Sequence, residues 1–204
     1  MFKTILNYFR KLFIGGPTFI TYNGTQIFWP STFPINSFPI NVYMTESARK
    51  TYGVSASIAV VKINALMKFK FFQTPMLVGN ADLSKIFKQA EEGERLPNLR
   101  GIVLIDTEDR LTVSKTTVYY ATKSYPQFKE EIGSIRCAFI DMVSDPTKGL
   151  EDDTLLHELL HSMGLDHDTE TGSVMNEFLS PVEGYIITPK TIAALRAKYN
   201  GVSK

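Results

Sequence analysis

Hydrophobic residues in this chain fall into short runs and one-sided stripes, and their period separates strands from helices. Ile40 to Met44 predicts a first strand. Residues 55–67 carry Ile58, Val61, Ala65 and Leu66 at helical spacing, which predicts a long helix packed on a sheet. Phe69 to Phe72 predicts the next strand, and Asp82-Leu83-Ser84-Lys85-Ile86-Phe87 marks a further helix over 81–92. Gly101 to Asp106 is a short apolar run between turn signals, the mark of a buried strand. Thr116 to Thr122 alternates β-branched and aromatic residues, so it reads as a strand with one open face. Ile135 to Met142 predicts another strand, leading through Pro146 and Gly149 into a helix that Asp152 or Asp153 can cap. Leu155, Leu156, Leu159, Leu160 and Met163 give that helix one buried face. Thr188-Pro189 opens a last helix, a capping residue followed by proline at the first helical position, which ends near Asn200-Gly201. Strands and helices mixed in this order predict an α+β fold.

The first 35 residues follow another pattern. They contain no Asp or Glu, carry Lys3, Arg10 and Lys11, and are rich in Phe and Tyr. Ile5, Leu6, Phe9, Leu12 and Phe13 share a helical face, so residues 2–14 read either as a basic amphipathic helix docking to a membrane surface or a protein, or as a segment packed on its own domain. Prolines at 30, 34 and 39 mark an extended entry into the main domain. The expected organisation is a basic, aromatic-rich extension over 1–35 and that main domain over 36–204.

Composition narrows the class. A chain of 204 residues with 44% hydrophobic content suits one domain with a sizeable core. Its net charge of +1 gives no bias toward nucleic acid, and none is expected as a partner. The single cysteine, Cys137, excludes an internal disulfide and reads as a small buried hydrophobe. Arg10 and Lys11 interrupt the N-terminal apolar run and Gly15, Gly16 and Pro17 come soon after it, so neither a signal peptide nor a membrane span is expected. A cytoplasmic or virion-associated setting is expected over a disulfide-rich extracellular one.

The chemistry is concentrated in one place. All three histidines lie in the run His157-Glu158-Leu159-Leu160-His161-Ser162-Met163-Gly164-Leu165-Asp166-His167-Asp168. Positions i and i+4 share a helix face, so His157 and His161 can present two imidazole nitrogens to one metal at about 2.0–2.1 Å. Glu158, one step round the helix, can reach a water on that metal without ligating the metal itself. Such a water has its pKa lowered to about 7, and a neighbouring carboxylate can take its proton as general base. Gly164 stands where a left-handed residue would end the helix and swing His167 under the same metal. Three protein ligands and a water make an open, catalytic kind of site.

At these residues the chain resembles the metzincin metallopeptidases, whose pattern is HExxHxxGxxH followed by a methionine in a tight turn. The resemblance implies one catalytic zinc ion, with His157, His161 and His167 as ligands and Glu158 as catalytic base. Met175, in Ser173-Val174-Met175-Asn176, matches the turn methionine. Its spacing from His167 is similar to that of matrixins, whereas Asp168 is the residue typical of adamalysins. Asp168 is expected to hold the turn's backbone or orient the ligand shell. Glu177 stands where astacins and serralysins carry a tyrosine, so no fifth ligand is implied. A structural calcium ion is open, but no motif makes one evident. The implied fold for 36–204 is the α/β/α-like metzincin catalytic domain. It has a mixed twisted sheet with an antiparallel edge strand, a long sheet-packing helix, a zinc-site helix and a C-terminal helix.

The same resemblance places a peptide substrate along the strand Thr116 to Thr122 by strand addition, with Val118, Tyr119 and Tyr120 as contacts. Pro181 to Tyr185 would then form the wall of the pocket beyond the scissile bond. Residues 151–177 carry eight carboxylates and no Lys or Arg, so an acidic rim favours zinc capture and basic peptides. No Cys, His, Asp or Glu precedes residue 46, so any inhibition by residues 1–35 would be steric. The activity expected is a zinc-dependent endopeptidase acting on protein or peptide substrates. The alternative is a catalytically idle zinc-binding structural or virion/assembly protein of the same fold.

Overall fold

The computed structural model describes residues 18–30, 38–79, 101–106, 114–122, 124, 131–143, 151–177, 179 and 184–199. Two short strands, β1 (Thr21–Tyr22) and β2 (Thr25–Gln26), pair as an antiparallel ribbon around Asn23 and Gly24, both at positive φ. Five more strands form one sheet: β3 (Asn41–Met44), β4 (Met76–Leu77), β5 (Gly101–Asp106), β6 (Lys115–Tyr120) and β7 (Ile135–Met142). Their order is β4-β3-β5-β7-β6, with parallel pairing throughout except for β6, which lies antiparallel to β7 at the edge. The apolar runs of β5 and β7 fit this placement, because inner strands of a parallel sheet are buried on both faces. Three helices are described: α1 (Glu46–Met67), α2 (Glu151–Ser162) and α3 (Pro189–Lys198). The protein is thus α+β with a mixed sheet, and α1 packs on β3, β5, α2 and α3.

Helix α1 begins nine residues before the expected start at 55. Thr45 caps it, its hydroxyl accepting from Ala48 N at 3.2 Å, and Lys68 ends it at φ 63°. Its buried face is also not the one expected. Ala48, Tyr52, Ala56, Ala59, Val60, Ile63 and Met67 face inward, whereas Ile58 and Val61 are 42% and 67% exposed. The helix carries two apolar stripes, and the one with three alanines turns inward, where small side chains allow close approach of neighbouring elements. Periodicity alone does not rank two such stripes.

Phe69 to Phe72 is not a strand. Asn64 captures this segment instead: its Oδ1 accepts from Phe71 N and Phe72 N, both at 2.8 Å, and its Nδ2 donates to Phe72 O at 2.9 Å. Phe72 makes a single bridge to Ile40, and the outer parallel partner of β3 is β4. Helix α2 starts at Glu151, so Asp152 and Asp153 stand inside its first turn rather than at the cap, and there they suit the positive end of the helix dipole. Strand β6 runs from 115 to 120, one residue earlier than expected at its start, and its register with β7 shifts at Tyr119/Tyr120. Thr188 caps α3 with Pro189 in its first turn, as expected. The expected helices over 2–14 and 81–92 lie outside the described residues.

The segment 18–29 is built into the main core. Ile27 and Trp29 are buried in the cluster that holds the inner faces of α1 and α2. Backbone bonds tie it to the end of α2: Asp166 N donates to Thr18 O at 2.7 Å and Ile20 N to Gly164 O at 2.8 Å. Trp29 Nε1 donates to Ser162 O at 2.8 Å, and Tyr199 Oη donates to Met163 O at 2.7 Å. These donors satisfy carbonyls that a helix C-terminus leaves without intrahelical partners. The last turn of α2 is therefore fixed from both ends of the chain.

Candidate metal centre

Helix α2 presents His157 and His161 one turn apart on the same face, with Leu155, Leu156, Leu159 and Leu160 buried around them. The helix stops at Ser162, and Gly164 follows at φ +90°. A Cβ at Gly164 would come within 2.3 Å of the Ile27 carbonyl oxygen, so both conformation and space demand glycine there. The turn carries His167 back to the other two rings. The three Nε2 atoms stand 2.9 Å (His157–His161), 3.1 Å (His161–His167) and 3.3 Å (His157–His167) apart.

That triangle fits a metal. Donors at about 2.0–2.1 Å in tetrahedral directions lie about 3.3–3.4 Å apart. The three histidines therefore lie close enough to hold one ion. Carbonyl partners fix the proton on two of the rings. His157 Nδ1 faces Val174 O at 2.6 Å and His161 Nδ1 faces Leu165 O at 2.8 Å. A carbonyl only accepts, so each Nδ1 carries the proton and each Nε2 offers a lone pair. Burial holds the His157 imidazolium down to a pKa of about 3, with the charge of His161 acting the same way. Burial likewise lowers His161 to about 4. Two neutral rings thus aim lone pairs at each other across 2.9 Å, an arrangement that a cation between them relieves.

The carbonyl at Val174 is itself fixed. Asp168, 7% exposed, accepts from Ser173 Oγ at 2.7 Å and from Glu170 N at 3.1 Å. Ser173 Oγ in turn accepts from Met175 N at 3.1 Å, and Asp168 N donates to Met175 O at 2.9 Å. Met175 is fully buried in the main core. The turn 173–176 is therefore held by Asp168, one residue from His167, and it holds His157 through Val174.

Glu158 is 5% exposed. Burial pushes its carboxyl up to about 7, while hydrogen bonds from Thr116 work in the opposite direction. Thr116 Oγ1 lies 2.6 Å from Glu158 Oε2 and 2.9 Å from its backbone carbonyl oxygen. Thr116 is a site residue that periodicity does not reveal, because one hydroxyl in a β-branched strand looks like any other. Ser173 is equally hidden in the sequence. Trp29 carries a signal, being the only tryptophan in the chain.

The remaining candidates divide. Val118 and Tyr120 turn toward the main core, with Tyr120 against Tyr22 at 5.4 Å between ring centroids. Tyr119 points to the opposite face and packs edge-on against Phe139 at 5.5 Å. Tyr185 is half-buried against the core, and its neighbour Ile186 pairs with the 172–174 turn. Pro181 lies outside the described residues. Glu170, one of the acidic residues near the site, stands 3.6 Å from Lys190 across an exposed pair. Cys137 takes no part: it is buried, and burial raises its thiol to about 12. Among the described residues no helix is long and apolar enough to cross a membrane. No protein-family model matches this chain and no curated protein sequence matches it, so the site rests on its own residues and geometry.

Proposed function

We propose that this protein is a zinc-dependent endopeptidase of the metzincin type, with His157, His161 and His167 as zinc ligands. The observation that carries the reading is the convergence of three Nε2 atoms within 3.3 Å, with Glu158, the residue after His157 on α2, itself buried. Neutral imidazole suits zinc, and three protein ligands leave a position open for chemistry. A bound zinc ion supplies Lewis acidity, polarising a carbonyl and making water more acidic.

The chain's own residues do the rest. Glu158 takes a proton from the attacking water and delivers it to the amine nitrogen as the peptide bond breaks. A more basic carboxylate takes up a proton more readily, and burial raises the basicity of Glu158, with the Thr116 hydrogen bonds working against it. Strand β6 is an open antiparallel edge among the described strands, and its start is bonded to α2 through Thr116. A peptide laid along that edge adds one strand to the sheet and passes the site. Val118, Tyr119 and Tyr120 supply backbone to it, and Tyr185 borders the far side. The acidic run 151–177 favours basic peptides.

The test is Glu158→Gln against a mixed peptide library, with zinc content measured for both proteins. Cleavage by the wild type that Gln abolishes, with about one zinc per chain in each, supports the reading. Zinc binding with no cleavage by either protein favours an idle, structural zinc site.

A further inference from the structure

Thr116 is the second residue of β6, and its side chain faces α2. A hydroxyl has one hydrogen and two lone pairs. It can donate to only one of its two acceptors at a time, the Glu158 carboxylate at 2.6 Å or the Glu158 carbonyl at 2.9 Å. It can also accept from a protonated carboxyl.

We propose that Thr116 is the positioning residue for Glu158, holding its carboxyl in one place whichever protonation state it is in. The proposal rests on the hydrolytic reading above. With Glu158 ionised, the hydroxyl donates to Oε2. A proton arriving on Oε1 leaves that bond intact. A proton on Oε2 is met by rotation of the hydroxyl, which then donates to the Glu158 carbonyl oxygen and accepts from Oε2. No proton leaves the carboxyl for threonine in either case, so the balance of the reaction is unchanged. A glutamate side chain has three rotatable bonds, and an untethered carboxyl would spend most of its time away from the water it must deprotonate. The same contact ties the start of the edge strand to α2, so base and substrate edge keep one spacing.

Two substitutions separate the hydroxyl from the shape. Thr116→Val keeps the branched side chain and removes the hydroxyl, whereas Thr116→Ser keeps the hydroxyl and removes the methyl. Expected for Thr116→Val is a fall in kcat of about 10–100-fold, the effect of losing one hydrogen bond to a charged group. KM and zinc affinity should stay at the wild-type values, and Thr116→Ser should stay within about threefold of wild type in kcat. A second readout needs neither metal nor turnover. In metal-free protein carrying 13C-carboxyl glutamate, the Glu158 resonance, identified by its loss in Glu158→Gln, should move in Thr116→Val and not in Thr116→Ser. If valine lowers the melting temperature, Thr116→Ala replaces it with the same expectations.

Wild-type kcat in Thr116→Val overturns the proposal and leaves the hydrolytic reading standing. So does a loss in Thr116→Ser as large as in Thr116→Val, or a Glu158 resonance that Thr116→Val leaves in place. Wild-type protein that binds zinc and cleaves nothing overturns the hydrolytic reading, and the proposal with it.

Discussion

Gly164→Ala tests how tightly the candidate metal site is written into the fold. Gly164 sits at φ +90°, where a residue with a Cβ is strained by about 1–2 kcal/mol. The added Cβ would lie 2.3 Å from the Ile27 carbonyl oxygen, and both partners are backbone, so no side chain can swing aside. Relief needs a shift of about 1 Å between the end of α2 and the 18–29 segment, since van der Waals contact begins near 3.3–3.6 Å. That shift strains Ile20 N→Gly164 O and Asp166 N→Thr18 O, now 2.8 and 2.7 Å, each contributing about 1 kcal/mol. Strain and loosened bonds together destabilise by about 3–4 kcal/mol. For a chain of 204 residues this lowers the melting temperature by about 6–16 °C. Gly172 is the internal control. It has φ +78°, but a Cβ placed there would meet nothing within 4 Å, so Gly172→Ala should lose only the strain, a few degrees. Thermal melts of metal-free wild type and both variants decide the matter. Equal losses in the two variants would show that the Ile27 contact contributes nothing and that the turn is free to adjust.

Other perturbations probe the same frame. Changing His161 to Ala should weaken zinc binding by more than about 100-fold, the upper range for losing a mere supporting partner; competition with a chromophoric chelator measures it, and unchanged affinity would remove His161 from the ligand set. Asp168→Ala leaves Ser173 Oγ and Glu170 N without their acceptor, so a stability loss of about 2–4 kcal/mol and zinc binding weaker by about 10–100-fold are expected; a variant with wild-type affinity would detach the 173–176 turn from the site. Trp29→Phe removes the donor to Ser162 O and should cost about 1–3 kcal/mol in urea unfolding, unless residues 18–29 are dispensable to the domain. Metal-free protein should lose stability in mild acid. Unfolded histidine binds protons below about pH 6.5, whereas folded His157 and His161 resist them down to about 3 and 4. The two histidines therefore contribute stability above about pH 6.5 that falls as pH drops, by about 2–4 kcal/mol on reaching pH 5. The raised Glu158 carboxyl takes up a proton in the folded state and offsets about 1–2 kcal/mol of that. A wild type whose melting temperature follows the same course with pH as a protein lacking both histidines would contradict the buried neutral pair.

Residue type and spacing made the histidine cluster legible, because its three members are close in sequence and their geometry is mostly local. A helical i, i+4 pair, a glycine turn and a third histidine need little help from the rest of the fold. The strands β3, β5 and β7 were legible for a similar reason: each is a short apolar run with turn signals beside it. Long-range contacts were not. Ile58 and Val61 looked like core residues, yet the stripe with Ala48, Ala56 and Ala59 packs inward. The phenylalanines of Phe69 to Phe72 looked like a strand, but a single amide, Asn64, holds them in another conformation. Thr116 meets Glu158 across 42 positions of sequence, a pairing that no local pattern encodes.

The supports of two of the imidazoles explain why the site demands so much of the chain. His161 is oriented by Leu165 O, just past the Gly164 turn, which the 18–29 segment holds. His157 is oriented by Val174 O, in a turn that Asp168 and Ser173 hold. Neither acceptor lies on α2, so the rings are aimed by two loops that the core must fix first. Folding therefore creates the repulsive meeting of lone pairs, and a cation binding there returns that energy as stability, by RT ln(1 + [L]/Kd). At a free zinc concentration about 1,000 times Kd this amounts to about 4 kcal/mol. The aimed geometry also predicts selectivity between two otherwise similar variants. Ser173→Ala, which acts only through the turn, should lower zinc affinity while leaving His161's surroundings intact, so its metal-free melting temperature should fall less than that of Gly164→Ala. Isothermal titration with zinc alongside melting curves separates the two effects, and a Ser173→Ala protein with full zinc affinity would mean that His157 needs no such aiming.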